Sequence, residues 1–435
     1  MAVSQRNIFV VALSDYQRRL LERLPRSGDY AFHELLPQDR LRGVSDFHVG
    51  ALLEQARQRL RAFDGPVHGV TTFIDFPALE LSALLAADIG LPGPGLESLL
   101  GCSHKYWSRC LQRQAVPEHV PPFAAFDPFD PNAAEDLEKD LGYPFWIKPV
   151  NAFRSHLGYR IDNRSELEAR LPELRAGIER LAEPFARFLG LADLPAEISA
   201  LPAHTCLAEG MIGGRQATLE GYVYRGAPRV YAVVDSVTEA NRVSFARYQY
   251  PSALPARVQE RMREVAERAV TATGLDNAPF NAELYWDPDS DRIWLLEINP
   301  RISESHCELL EKVDGASHQQ VAIDLAEGRR PDPPHRKGAW PMAAKFFVRA
   351  FRDSTVARLP DPERVREVEG KVPGTTVELR VRPDEQLHDL QDQDSYSYEL
   401  AWVWVGGEGT EDLLARYRRV KALLGIEMAD HQEIS

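Results

Sequence analysis

Residues 277–301 read NAPFNAELYWDPDSDRIWLLEINPR, and this stretch decides the fold. Apolar and polar residues alternate across Phe280 to Trp286 and again across Arg292 to Ile298. The intervening Asp-Pro-Asp-Ser-Asp is turn chemistry, so the pattern predicts a β-hairpin. Glu283 interrupts an apolar surround on the first strand, while Glu297 and Asn299 lie two apart on the second and therefore share a face. Three oxygen ligands converging from adjacent strands suit Mg²⁺. This hard cation takes one or two carboxylates and completes its shell with phosphate oxygens and water. Arg301 shares that face if the strand continues. An exposed hairpin edge could carry such charges idly, but a carboxylate, an amide and a guanidinium on one face need partners once buried. The set is read as functional.

A second cluster surrounds Lys148, which ends the apolar run Tyr143-Pro-Phe-Trp-Ile-Lys and precedes the loop NAFRSHLG at residues 151–158. An ammonium at a strand end can bridge phosphate oxygens, and Ser155 with the loop amides can cap a terminal phosphate. Lys105, in Ser103-His-Lys-Tyr-Trp-Ser, opens a predicted helix. Neither lysine would stand out alone, because strand-end and helix-end lysines are usually solvated. No G-x-x-x-x-G-K-[ST] sequence and no strand-bound G-x-G-x-x-G is present, so a nucleotide site must be built without those phosphate cradles.

Working outward, the first hundred residues alternate strands and helices. The predicted order is Ile8 to Leu13, a helix from Val49 to Ala62, a strand from Val67 to Ile74 and a helix from Pro77 to Asp88. This is the pattern of a small parallel-sheet α/β unit. The run LPGPGLESLL, residues 91–100, reads as the loop leaving it. Beyond it the longest clear helix is Pro255 to Thr273, with Val258, Met262, Val265, Ala266, Ala269 and Val270 on one face, a packing element. The proline-rich RPDPPHRKG, residues 330–338, reads as a linker. Strands from Thr376 to Val381 and from Tyr396 to Val405, then a helix from Glu411 to Leu424, give a small α+β unit at the C-terminus. The expected division is residues 1–102, 103–330 and 331–435.

Composition narrows the function class. The 435 residues are 44% hydrophobic and 27% charged, as in soluble globular chains. No apolar run approaches the roughly 20 residues needed to span a bilayer. A net charge of −14 argues against broad nucleic-acid binding, which depends on Lys and Arg neutralising phosphates. Four scattered cysteines without a C-x-x-C pair indicate neither zinc nor a disulfide framework, and the expected compartment is the cytoplasm.

The order of these features resembles the ATP-grasp superfamily, of the carboxylate–amine ligase type. Lys105, Lys148-Pro149 with the loop through Ser155, the hinge Ala208-Glu-Gly-Met-Ile-Gly-Gly-Arg215, Glu283, and Glu297-Ile-Asn-Pro-Arg301 follow one another as that superfamily's parts do. The resemblance covers roughly residues 1–330. It implies an ATP-grasp fold of α/β and α+β parts, preceded by a parallel-sheet α/β domain and followed by a small α+β domain. It also implies that Lys105 and Lys148 hold ATP phosphates, that Glu209 lies near the adenine amine, and that Met211 and Ile212 form the hinge reading the base. Gln216 stands where many relatives place a ribose-binding Glu.

The implied reaction converts a carboxylate to an acyl phosphate and joins it to an amine, releasing ADP and phosphate. Amino acids or small peptides are the expected substrates. Glu283, Glu297 and Asn299 would hold Mg²⁺, with Mn²⁺ as a substitute, while Arg301, Lys148 and Ser155 attend the transferred phosphoryl group. A homodimer is compatible. No general base is identified; Glu304 and His306 follow Arg301 but read equally as a surface acid and a surface imidazole. Two alternatives stay open. One is a biotin-carboxylase-like enzyme, against which stands Arg301-Ile-Ser-Glu-Ser-His306 in place of Arg-x-Gln-Val-Glu-His. The other is a nucleotide-binding module without turnover, suggested by the glycine-poor covering loop.

Overall fold

The strand Arg6–Val11 lies between Tyr30–Leu36 and Gly69–Thr71 in a three-stranded parallel sheet, as the opening alternation predicts. The computed structural model describes residues 5–41, 48–151, 157–390, 393–394 and 396–435. Helices Val49–Ala62 and Ala78–Asp88 pack their apolar sides onto this sheet. The predicted loop over residues 91–100 is a helix from Leu96 onward, running Leu96–Ser103. Leu99 and Leu100 are fully buried there, so packing overrides the local proline and glycine signal. His104 then caps the next helix, Lys105–Ala115, accepting from the Trp107 amide at 3.2 Å.

Two antiparallel sheets follow. A four-stranded sheet runs in the order Phe123–Phe126, Cys206–Gly210, Phe145–Pro149, Tyr159–Ile161. An eight-stranded sheet runs in the order Arg292–Asn299, Ala278–Asp287, Arg215–Tyr224, Ala227–Thr238, Phe245–Tyr250, Met342–Ala350, Tyr398–Gly407, Thr375–Leu379. Phe245–Tyr250 pairs directly with Met342–Ala350, so this sheet continues across the division expected near residue 330. The longest helix is not the expected one but Arg164–Leu189, 26 residues with Pro172 and Pro184 inside it. Its prolines obscure the periodicity that Ala256–Ala272 displays plainly.

The hairpin forms as predicted, with one consequential departure. In strict alternation Ile293, Leu295, Glu297 and Asn299 would all share a face. The register instead pairs Glu283 with Glu297 but Leu284 with Leu295, leaving Leu296 as an extra residue in a β-bulge. The bulge keeps Ile293, Leu295 and Ile298 in the core against helix Ala256–Ala272 and turns Leu296, Glu297 and Asn299 to the other face. Without it Glu297 would point into hydrocarbon.

One glycine secures the same sheet. Gly221 lies opposite Phe280, and a Cβ built on it would sit 2.2 Å from the Phe280 ring. Gly221→Ala is therefore expected to lower stability by about 1–3 kcal/mol through overpacking, read as a drop in the denaturant midpoint with an unchanged m-value. An unchanged midpoint would mean the ring moves freely.

Candidate active site

The two antiparallel sheets face one another across a solvent-open cleft. Lys148, Glu209, Met211 and Ile212 reach it from the four-stranded sheet and its hinge. Gln216, Glu283, Glu297 and Asn299 reach it from the eight-stranded sheet, Lys105 from the helix start and Arg301 from just beyond the hairpin. Every candidate residue of the sequence analysis within the described segments is thus in one place. Ser155, with Arg154 and His156, lies outside the described residues.

The lysines are set by backbone contacts between their elements. The Lys105 amide donates to the Val150 carbonyl at 2.7 Å, which docks the helix start onto the end of the Lys148 strand. Lys148 Nζ lies 2.6 Å from Glu209 Oε1 and Lys105 Nζ 3.1 Å from Glu297 Oε2. Burial lowers the Lys148 pKa, against the opposing pull of Glu209. Glu209 is 3% exposed. Burial alone would raise its carboxyl, but Arg109 and Lys148 hold it at about 2. Its Oε2 accepts from Arg109 Nη2 at 2.6 Å and from Nε at 2.8 Å. The residue expected beside the adenine amine is thus the centre of a buried ion cluster, with both oxygens engaged by cations.

On the opposite wall, Glu283 and Glu297 face each other across the hairpin, as do Asn281 and Asn299. Burial and the Glu297 charge push the Glu283 carboxyl up to about 7. Burial also opposes ionisation of Glu297, but Lys105 and then Lys148 hold it at about 2. Asn299 Nδ2 donates to Glu297 Oε1 at 3.3 Å. This crowding of carboxylates suits a divalent cation, which would stabilise both in the charged form. Among the described residues no group of three or more His, Cys, Asp or Glu gathers as a metal cluster. A cation here would rest on two carboxylates and an amide plus ligand oxygens, the coordination style of Mg²⁺.

Two site residues sit otherwise than expected. Gln216 donates to Glu283 Oε2 at 2.8 Å and accepts from the Tyr285 hydroxyl at 2.8 Å, so its amide braces the acidic wall. Arg301 does not continue the strand, which ends at Asn299; its guanidinium grips Asp75 at 2.6 and 3.2 Å, reaching the loop after the parallel sheet. Sequence reasoning missed Asp75 and Arg109, because each acts through partners remote in sequence. It left His306 open between a base and a surface imidazole; His306 is 1% exposed.

The described residues thus form a cleft between two antiparallel sheets, with lysines on one wall and paired carboxylates on the other. Residues 141–308 match the ATP-grasp domain family. The carbamoyl phosphate synthase large chain of Thermotoga sp. (strain RQ2) is 29% identical over 133 residues, 29% of this chain and 12% of that one. The D-alanine–D-alanine ligase of Synechococcus sp. (strain CC9605) is 28% identical over 194 residues, 44% of this chain and 50% of its own length. These matches span half or less of each relative.

Among solved structures, the L-amino acid ligase from Bacillus licheniformis superposes with a TM-score of 0.71 over 99% of both chains, at 19% identity. The biotin carboxylase domain of Hydrogenobacter thermophilus 2-oxoglutarate carboxylase, solved with MgADP, ADP and bicarbonate, superposes with a TM-score of 0.67 at 16% identity. That match covers 98% of this chain and 91% of that one. The chain has the ATP-grasp fold, within which residues 141–308 match the ATP-grasp domain family. The likeness extends past residue 330, where the sequence analysis ended it, to nearly the whole chain. No helix among the described residues is long and apolar enough to cross a membrane.

Proposed function

We propose that the chain is an ATP-dependent carboxylate–amine ligase working through an acyl phosphate. The observation that carries this reading is the single cleft in which Lys105 and Lys148 face Glu283, Glu297 and Asn299, with Arg301 alongside. Phosphoryl transfer asks little covalent help of a protein; it asks for in-line positioning and fixed positive charge. Lys105 and Lys148 hold phosphate oxygens of ATP, and Met211 and Ile212 line the base end at the hinge. Glu283, Glu297 and Asn299 would hold a divalent cation, Mg²⁺ or Mn²⁺, which would supply charge neutralisation at the phosphates. Arg301, fixed by Asp75, offers its remaining guanidinium surface to the substrate carboxylate.

Beyond Arg301 the cleft wall is formed by Tyr248, Phe347 and Trp402 with Glu304, Glu399, Lys345 and Arg349, a mixed apolar and charged lining that suits a substrate carrying both an ammonium and a carboxylate. Amino acids or small peptides fit that lining as both acid and amine. The division into residues 1–102, 103–330 and 331–435 stays part of this reading, the C-terminal segment furnishing the far wall. The test is a screen of amino acid pairs with Mg²⁺-ATP, with nucleotide products resolved by chromatography and coupled products by mass. ADP and phosphate are expected only when acid and amine are both present. AMP and pyrophosphate as the main products would overturn the acyl-phosphate route.

A further inference from the structure

We infer that His306, oriented by Glu220, is the base that takes the proton from the attacking amine; the inference rests on the ligase reading above. His306 Nδ1 lies 2.7 Å from Glu220 Oε1, and the two residues are 1% and 0% exposed. A carboxylate only accepts, so this contact places the imidazole proton on Nδ1 and leaves a lone pair on Nε2. Nε2 is buried without a hydrogen-bond partner among the described residues. Yet His306 belongs to the wall of the cleft that also holds Arg301 and Ser303. A buried acceptor left unmet is costly, and a donor arriving in the cleft would meet it. A fixed carboxylate behind an imidazole in the cleft wall is the arrangement of a general base with its orienting partner.

The surroundings keep that arrangement in one state. Asn281 Nδ2 donates to Glu220 Oε1 at 2.7 Å and the Ser303 amide at 3.3 Å, so the carboxylate cannot rotate away. The titratable and charged groups packed around the pair are His318, Tyr231, Tyr248, Cys307 and Arg301. Burial lowers His318 to about 4, and its Nε2 donates to the Ser303 carbonyl at 2.9 Å. It therefore stays neutral and does not compete for the proton. Burial raises Tyr231, Tyr248 and Cys307 well above their usual values, so they too stay neutral near pH 7. Tyr248 stands edge-on to the imidazole at 4.9 Å between ring centroids, which fixes its plane.

An ammonium substrate gives one proton to His306 Nε2 and becomes a neutral amine. Its nitrogen lone pair then forms a bond to the acyl carbon, and the carbon–oxygen bond to the phosphate breaks with its electron pair leaving on phosphate. The second nitrogen proton passes to the departing phosphate, and the imidazolium returns its proton to solvent.

His306→Asn keeps a donor toward Glu220 and removes the base. The measurement offers proteinogenic amino acids with Mg²⁺-ATP and compares amide formation with hydroxamate formation from hydroxylamine, a nucleophile already neutral at pH 7. Amide formation should fall by about 10²–10⁴-fold, the usual worth of general-base catalysis. Hydroxamate formation should stay within a few-fold of wild type, because that nucleophile needs no base. In Glu220→Gln, the positioning residue, amide formation should fall while hydroxamate formation again holds near wild type, since the imidazole loses the carboxylate that orients it. Equal loss of amide and hydroxamate, or unaltered amide formation, overturns the assignment. Wild-type protein yielding no hydroxamate at all would instead overturn the ligase reading.

Discussion

Glu297→Gln should lower coupled ADP release by about 10²–10³-fold, the order lost when one preorganised electrostatic stabiliser is removed, and should raise the Mg²⁺ needed for half-maximal rate. The expectation follows from position. The bulge at Leu296 turns Glu297 into the cleft opposite Glu283, where it meets Lys105 at 3.1 Å and Asn299 at 3.3 Å. Gln keeps the shape and removes one unit of negative charge from the proposed cation site. Stability without nucleotide should change little, by less than about 1 kcal/mol, for two opposed reasons. Lys105 loses a partly exposed ion pair, while Glu283, whose carboxyl Glu297 helps push up, is relieved of a like charge. Rate against Mg²⁺ concentration and the apo melting temperature decide the matter. Near-normal turnover at low Mg²⁺, or outright unfolding, would make Glu297 a structural residue.

What could be read from the sequence follows the range over which each signal acts. The hairpin, the helix Val49–Ala62 and the helix beginning at Lys105 are local patterns, and the structure forms them with boundaries within a residue or two. Composition could not show that Leu296 bulges, because strict alternation and a bulged strand contain the same residues. Nor could it separate the segments before and after residue 330, since strands Phe245–Tyr250 and Met342–Ala350 pair across more than ninety residues of sequence. The candidate site shows the same division. Residues inside short motifs, such as Lys148, Glu283 and Glu297, were legible. Asp75, Arg109 and the partner of His306, Glu220, stand in unremarkable segments and acquire meaning only through contacts 226, 100 and 86 residues away in the chain.

Arg109→Met should destabilise the fold by roughly 3–5 kcal/mol, the usual cost of removing one member of a buried ion pair. The guanidinium is 2% exposed. Nε and Nη2 both donate to Glu209 Oε2, and Nη1 donates to Gln112 Oε1 at 2.8 Å and to the Leu295 carbonyl at 2.7 Å. One side chain thus ties its own helix to strand Cys206–Gly210 and to the hairpin of the proposed cation site. Methionine fills similar space but leaves Glu209 with Lys148 as its one cationic partner among the described residues. The pH dependence has a definite sign. The Glu209 carboxyl lies at about 2 in the folded protein against an ordinary 4.5, so its contribution is complete above 4.5 and is lost as pH falls toward 2. Without Arg109 the carboxyl rises, and the acid limb of the stability curve should shift to higher pH. Adding Glu209→Gln to Arg109→Met should cost less than the sum of the single changes, because the second substitution removes the charge that the first left under-compensated. Denaturant titrations of the three variants between pH 3 and 7 test both points. Strictly additive losses with an unmoved acid limb would show that Arg109 acts through its packing and its bonds to Gln112 and Leu295 alone.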